Sequence, residues 1–348
     1  MSPQPTKSLF LIGIGYIGGS VLTRLLSTRP DLSISALTRS DAQAAQLTAL
    51  GVKPIRGSLQ DTKVIEEQAA LHDIVLNISS SDDVPSVQAI VSGLRARENM
   101  SQRRAIFIQT SGTGVLTDNS KSEYAADSNT YTFHDGDPAS LEKSIPDNAL
   151  HRDVDLVIRD QLARPALEKE HNVSVAIMTP PTIYGQGSGP FNRTSIQAPA
   201  FIRAAIAAKQ GLTVGKGKAV WDAVHIDDLV DAYMLLLAYL EKTHPATEDG
   251  YYWFAGTHVF SWGDLARSVG KALFKLGKAS TPDVREATSE ELNKYFWSEE
   301  MAFVGFGSNS LSSAERLAKL GWKKRSDTPT ILESVEQIEV KAMLDSQA

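Results

Sequence analysis

The sequence predicts an α/β protein with a doubly wound parallel sheet and a smaller C-terminal lobe, and three observations carry that expectation. An apolar run, Leu9–Ile12, turns through Gly13, Gly15 and Gly18 straight into apolar residues at helical spacing, Val21, Leu22, Leu25 and Leu26. Short apolar strands then alternate with helical patterns of about 10 to 15 residues, the signature of parallel strands joined by right-handed crossovers. The length of 348 residues suits one large α/β domain with an added lobe, or two domains.

Each element follows in order. After the first helix, Leu32–Leu37 reads as a strand, Asp41–Leu50 as a helix capped by Ser40 or Asp41, and Val52–Ile55 as a short strand. A helix near Asp61–Leu71, a strand at Ile74–Ile78, a helix near Val84–Glu98 and a strand at Ala105–Thr110 continue the alternation. Thr117–Ala149 is polar and rich in Asp, Ser and Asn, so it reads as a long surface excursion, either a lid or solvated padding. Asp155–Glu170 returns to helix and Val173–Met178 to strand. Beyond Pro180-Pro181 come a glycine-rich loop at Gly185–Pro190, a helix at Ile196–Lys209, a strand at Val220–Ile226, and a helix at Asp227–Leu240 started by Asp227 or Asp228. Tyr251–Ala255 reads as strand, while Leu265–Leu276, Ser313–Leu320 and Ile331–Met343 read as helices of the C-terminal lobe. The expected division is a dinucleotide-binding domain over residues 1–180, carrying the 117–150 excursion, and a mainly substrate-binding lobe over 181–348 that returns to the sheet near 219–257. Ligand is expected at the carboxyl ends of the strands, between sheet and lobe.

Composition narrows the chemistry. A formal charge of −6 with scattered basic residues gives no electrostatic reason to bind nucleic acid or an anionic membrane. The absence of cysteine excludes disulfides, thiolate catalysis and cysteine metal sites. No His/Asp/Glu grouping has metal-ligand spacing, and GxSxG is absent, so metal and acyl-enzyme mechanisms are not expected. The uncharged Ser8–Thr23 run is interrupted by four glycines, which argues against a signal or membrane segment and for the cytosol.

The glycine turn points to a dinucleotide, with a purely structural turn as the alternative. Gly13 permits the bend, Gly15 lets backbone approach a pyrophosphate, and Gly18 permits close helix packing, while the helix N-terminus presents free N–H groups to phosphate. At the end of the second strand, about 20 residues on, stands Leu37-Thr38-Arg39-Ser40. An acidic residue there would accept ribose hydroxyls and repel a 2′-phosphate, whereas Arg39 and Ser40 can bond that phosphate, so NADP(H) is expected over NAD(H). A solvent-facing arginine before a helix is the alternative.

Together with the glycines, four further segments resemble the extended short-chain dehydrogenase/reductases, the Rossmann-fold superfamily of sugar-nucleotide epimerases and dihydroflavonol-type reductases. They are Val52–Asp61, Ile106-Phe-Ile-Gln-Thr-Ser111, Ile177–Gly185 and Val224-His-Ile-Asp-Asp-Leu229. Asn192–Gln197, Trp221–Asp228, Gly307-Ser-Asn309 and Leu320-Gly-Trp322 are similar to an epimerase/dehydratase-like branch of fungi and bacteria. The resemblance implies cofactor contacts at Tyr16 and Ile17 beneath the pyrophosphate, at Ser58 and Leu59 near adenine, and at Asn77, Ile78 and Ser79 after the fourth strand. Pro180, Thr182 and Ile183 are expected beside the nicotinamide.

The superfamily's proton chemistry uses a Tyr and a Lys four residues later, and this chain lacks the pair: Tyr124 is followed at that spacing by Ser128, and Tyr131 by Asp135. His151 and Asp155 stand nearby at the same spacing, an imidazole that can trade a proton near neutrality and a carboxylate one turn on that can orient it. An exposed cluster at a helix start is the alternative reading. Ser111 or Thr113 is expected to supply the hydroxyl that bonds the substrate oxygen. Asn192, Arg193 and Gln197 are candidate substrate contacts, with Tyr184 a second phenol near the site and Trp221 an apolar wall or a packing residue.

The expected activity is NADP(H)-dependent reduction of a carbonyl on a small organic or secondary metabolite, by a monomer or homodimer. The alternatives are an NADP(H)-binding sensor without turnover, as in NmrA-like relatives, and redox-neutral epimerase, dehydratase or cyclase chemistry.

Overall fold

The computed structural model describes residues 7–97, 103–243 and 250–345. Strands β1 (Lys7–Ile12), β2 (Leu32–Thr38), β3 (Lys53–Arg56), β4 (Ile74–Asn77) and β5 (Ala105–Thr110) alternate with helices α1 (Tyr16–Thr28), α2 (Asp41–Ala49), α3 (Thr62–Leu71) and α4 (Val84–Arg95). Val173–Thr179 and Tyr252–Phe254 complete a seven-stranded sheet in the order Tyr252–Phe254, Val173–Thr179, β5, β4, β1, β2, β3. Every neighbouring pair is parallel. With helices on both faces, central strands are buried throughout and read as unbroken apolar runs. Every residue of β4, β5 and Val173–Thr179 is buried.

Alternate β1 side chains feed two cores. Leu9 and Leu11 join Leu22 and Leu25 of α1 and Tyr233 and Leu237 of the helix Ile226–Lys242. Phe10 and Ile12 join Ile65 of α3, Ile90 of α4 and Ile158 of the helix Arg152–Gln161. A third core, in the C-terminal half, gathers Phe201, Trp262, Phe296 and Phe306, their rings in stacked and edge contacts. The chain leaves β1 toward β2 and β3 and returns to β4 on the other side, so the crevice opens beyond the carboxyl ends of β1 and β4.

Several expectations are corrected. The helix expected over 155–170 is two, Arg152–Gln161 and Pro165–Glu170, because Pro165 holds Arg164 extended. The helix Ile226–Lys242 is capped by neither aspartate: His225 Nδ1 accepts the Asp227 N–H at 3.2 Å. Val220–His225 does not join the main sheet but pairs with Thr182–Tyr184 and His258–Ser261 in a separate three-stranded sheet.

The polar excursion is neither free lid nor padding. Asp118 takes hydrogen bonds from the Asn309 backbone and side-chain nitrogens at 2.8 and 2.9 Å, and Asp135 from the backbone of Phe254 and Arg316 at 2.9 and 3.0 Å. Glu142 accepts from Arg152 and Arg159, so the segment straps the sheet edge to the C-terminal region. No helix among the described residues is long and apolar enough to cross a membrane.

Candidate active site

Three glycines build the first loop for three different reasons. Gly13 has φ +96°, and a Cβ there would lie 2.6 Å from the Ser79 backbone. At Gly18 a Cβ would lie 1.9 Å from the Gly13 carbonyl oxygen. Gly15 meets nothing within 4 Å, so its bare backbone faces open space. It is also the N-cap of α1, with no side-chain cap, leaving the helix dipole and its first N–H groups to a ligand. Gly13 and Gly15 wall a cavity of about 370 Å³, lined further by Thr38, Arg39, Ser58, Leu59, Ser79 and Asn192. Its volume falls within the range of about 300 to 1,000 Å³ usual for small-molecule sites. An open glycine, an uncapped helix and a cleft at the strand-order reversal fit a dinucleotide.

At the nucleoside end no carboxylate stands at the end of β2. The Arg39 side chain is exposed and makes no hydrogen bond or ion pair among the described residues, while its carbonyl accepts from Arg56 at 2.8 Å. Arg56, which the sequence reading missed, pairs with Asp41 at 3.0 Å. The Ser40 hydroxyl caps α2 by accepting the Gln43 N–H. Ser58 donates to Asp61 at 2.8 Å and holds that carboxyl below its usual range. Asn77 is fully buried, donating to Gln109 at 2.8 Å and accepting from the Ser79 hydroxyl at 2.7 Å, so it braces the loop after β4. Ile78 and Ile17 pack against the α1-side core, and the Tyr16 hydroxyl donates to Gly185 O at 2.7 Å, tying α1 to the glycine-rich loop.

At the other end, His151 is the N-cap of Arg152–Gln161 with φ +70°, a left-handed conformation uncommon outside glycine. Its Nδ1 lies 2.7 Å from Asp82 Oδ1 and 2.9 Å from Ser81 Oγ, and its Nε2 faces Gly112 and Gly114 and has no partner among the described residues. The hydrogen bond with His151 keeps the Asp82 carboxyl below its usual range. The carboxylate on the imidazole is therefore Asp82, not Asp155 as expected. Asp155 points into the core, accepting from Ser111 at 3.0 Å and Tyr252 at 2.7 Å, and burial pushes it up to about 6. Beside Gly112, Thr113 is buried with an unpartnered hydroxyl, its N–H bonded to Pro180 O at 3.0 Å. Thr182 also buries an unpartnered hydroxyl, and Ile183 pairs with Val224 in the small sheet.

Two substrate candidates prove to be packing residues. Tyr184 is fully buried, its hydroxyl donating to Pro329 O at 2.5 Å and its ring edge-on to His225 and His258. Trp221 is buried against Trp262 and donates to Ser308 O at 2.7 Å. Gln197 donates to Gly305 O at 3.2 Å, and Arg193 lines a different cavity from Asn192. No metal-binding cluster occurs among the described residues.

Fold and cleft define a pyridine-dinucleotide protein, and comparison with known proteins refines this. An NAD(P)H-binding family model matches residues 13–136, and the NAD dependent epimerase/dehydratase family model matches 158–247. "Oxidase ucsJ" of Acremonium sp. is 30% identical over 339 residues, covering 91% of this chain and 93% of that protein. Protein YLL056C of Saccharomyces cerevisiae is 26% identical, covering 76% and 80%. Among solved structures, UDP-glucose 4-epimerase of Thermotoga maritima matches with TM-score 0.63 at 13% identity, over 98% of this chain and 100% of that one. The dTDP-glucose 4,6-dehydratase DesIV of Streptomyces venezuelae, solved with NAD, matches with TM-score 0.65 at 16% identity over 98% of both chains. The chain belongs to the extended short-chain dehydrogenase/reductase family of epimerases and dehydratases.

Proposed function

We propose that the protein is a cytosolic NADP(H)-dependent oxidoreductase that reduces a carbonyl of a small organic or secondary metabolite. The observation that carries this reading is the unpartnered Arg39 guanidinium at the nucleoside edge of a cleft with no carboxylate at the end of β2. NAD in the DesIV structure supports a pyridine nucleotide in this cleft, and the arginine favours the form bearing a 2′-phosphate. A relative named an oxidase supports hydride chemistry.

When bound, the nicotinamide supplies or accepts the hydride. The protein positions and protonates. Gly13, Gly15 and the α1 N-terminus would hold the diphosphate, and Asn77 braces the Ser79 loop. Asp82 keeps the His151 proton on Nδ1, leaving Nε2 to act: as imidazolium it gives a proton to the nascent alkoxide, and as neutral imidazole it takes one in the reverse direction. Ser111 and Thr113 flank Gly112, which faces that ring, and are the candidate hydroxyls for the substrate oxygen.

The test is a pair of titrations. Wild type is expected to bind NADPH more tightly than NADH, and Arg39→Ala to lose about ten- to hundredfold of that preference, the range of a charge-assisted hydrogen bond. An unchanged ratio overturns the cofactor assignment. With a carbonyl panel, His151→Ala is expected to lower kcat by about a hundredfold or more; full turnover in that variant removes His151 from the chemistry. Product formed with no net NADPH consumption would instead indicate redox-neutral chemistry.

A further inference from the structure

A second cavity, of about 450 Å³, lies between the glycine-rich loop, the helix Gln197–Ala208 and the C-terminal helical segment, and shares no lining residue with the dinucleotide cleft. Its walls divide by chemistry. Pro199 and Ile202 from one helix face Ile338 and Ala342 from the other, and Ile338 is an exposed large apolar side chain. The polar wall carries Arg193, Ser195 and Arg203.

That polar wall is underused. Arg193 spends only Nε, donating to Gly187 O at 2.6 Å, and Arg203 makes no hydrogen bond or ion pair among the described residues. Ser195 is more than nine-tenths buried and its hydroxyl has no partner. A buried hydroxyl without a partner costs about 1 to 3 kcal/mol, so a ligand able to accept from it is favoured there. The carboxyl group that also lines the cavity, Glu339, accepts from Gly185 N at 3.0 Å and Ser334 Oγ at 2.9 Å through Oε1, and burial pushes its pKa up, toward the neutral form. Two guanidinium groups and a hydroxyl beside an apolar wall complement a planar anion on a hydrocarbon body.

We propose that this cavity is a binding site for an organic carboxylate, its head on Arg193, Arg203 and Ser195 and its body along Ile338 and Ala342. The site is independent of the oxidoreductase reading, and it stands or falls on its own measurement. Octanoate titrated calorimetrically into the full-length protein is expected to bind once per chain, equally well with and without saturating NADP+, and more tightly than inorganic phosphate. Arg203→Glu is expected to weaken octanoate about tenfold or more, the scale of one charge-assisted bond. Ala342→Trp, at an exposed position, is expected to fill the cavity and abolish binding while leaving the melting temperature and NADPH affinity unchanged. The proposal is overturned by no saturable binding of octanoate, by competition with NADP+, by phosphate binding as tightly as octanoate, or by full binding in both variants.

Discussion

His151 and Asp82 are brought together from positions 69 residues apart, and nothing local in the sequence announces the contact. The i, i+4 spacing singled out His151 and Asp155 as a pair at a helix start. It failed on their roles because His151 sits outside the helix at φ +70°, which turns its ring toward the loop after β4, while Asp155 faces Ser111 and Tyr252. If Asp82 positions the imidazole, Asp82→Asn lowers kcat about tenfold or more with little change in the KM for NADPH. A purely structural Asp82 would move that KM together with kcat.

Asp155 carries a second prediction at this scale. Burial raises its folded-state pKa to about 6, above the unfolded value near ~3.9, so between these values the folded state holds a proton the unfolded chain has released. Its contribution to stability is therefore full at low pH and falls as pH rises through that window. Asp155→Asn is expected to remove about 2 kcal/mol of the loss between about pH 4 and pH 7, measured by urea unfolding. Asp135 and Asp222, raised by burial to about 6 and about 7, act in the same direction, while His72, His225 and His258, lowered by burial, act in the opposite one, so the comparison is read as the difference between variant and wild type.

Among the elements, the turn from β1 into α1 was the most legible, because strand, bend and helix each leave a local pattern. Its glycines nevertheless separate into two kinds that sequence cannot tell apart. Gly13 and Gly18 are required by the protein's own backbone, whereas Gly15 opens onto the cleft. Gly15→Ala is expected to change folding stability by less than about 1 kcal/mol, since an added methyl meets nothing within 4 Å. Dinucleotide affinity is expected to fall about tenfold or more, read by fluorescence titration. Equal affinity in that variant would mean no ligand lies against this residue. Of the strands in the 219–257 stretch, Tyr252–Phe254 returns to the main sheet and Val220–His225 does not, because an apolar strand does not name its partner: pairing is set by what lies across, here Thr182–Tyr184 and His258–Ser261.

Over the whole molecule, the polar excursion is a strap whose charges are answered by distant groups. Arg152 is fully buried and bonded to Glu142 of the strap and to the Tyr252 hydroxyl at 2.7 Å, and Tyr252 also donates to Asp155. Glu142→Ala leaves that buried guanidinium with only the more distant Asp147 carboxylate, 3.9 Å from Nε, and is expected to cost about 3 kcal/mol in thermal or chemical unfolding. A cost below about 1 kcal/mol would show the strap to be dispensable for folding.

By itself the amino-acid order determined the alternation of strands and helices, the glycine turn and the placing of Arg39 beside it, because periods of two and 3.6 residues and turn chemistry act between near neighbours. Only the tertiary structure decided that Asp82 meets His151, that Tyr184 and Trp221 are packing residues, that Asp118, Asp135 and Glu142 tie the strap down, and that Arg193, Ser195 and Arg203 share one cavity. Those contacts join segments far apart in the chain, and burial and partner choice belong to the packed whole, not to any stretch of it.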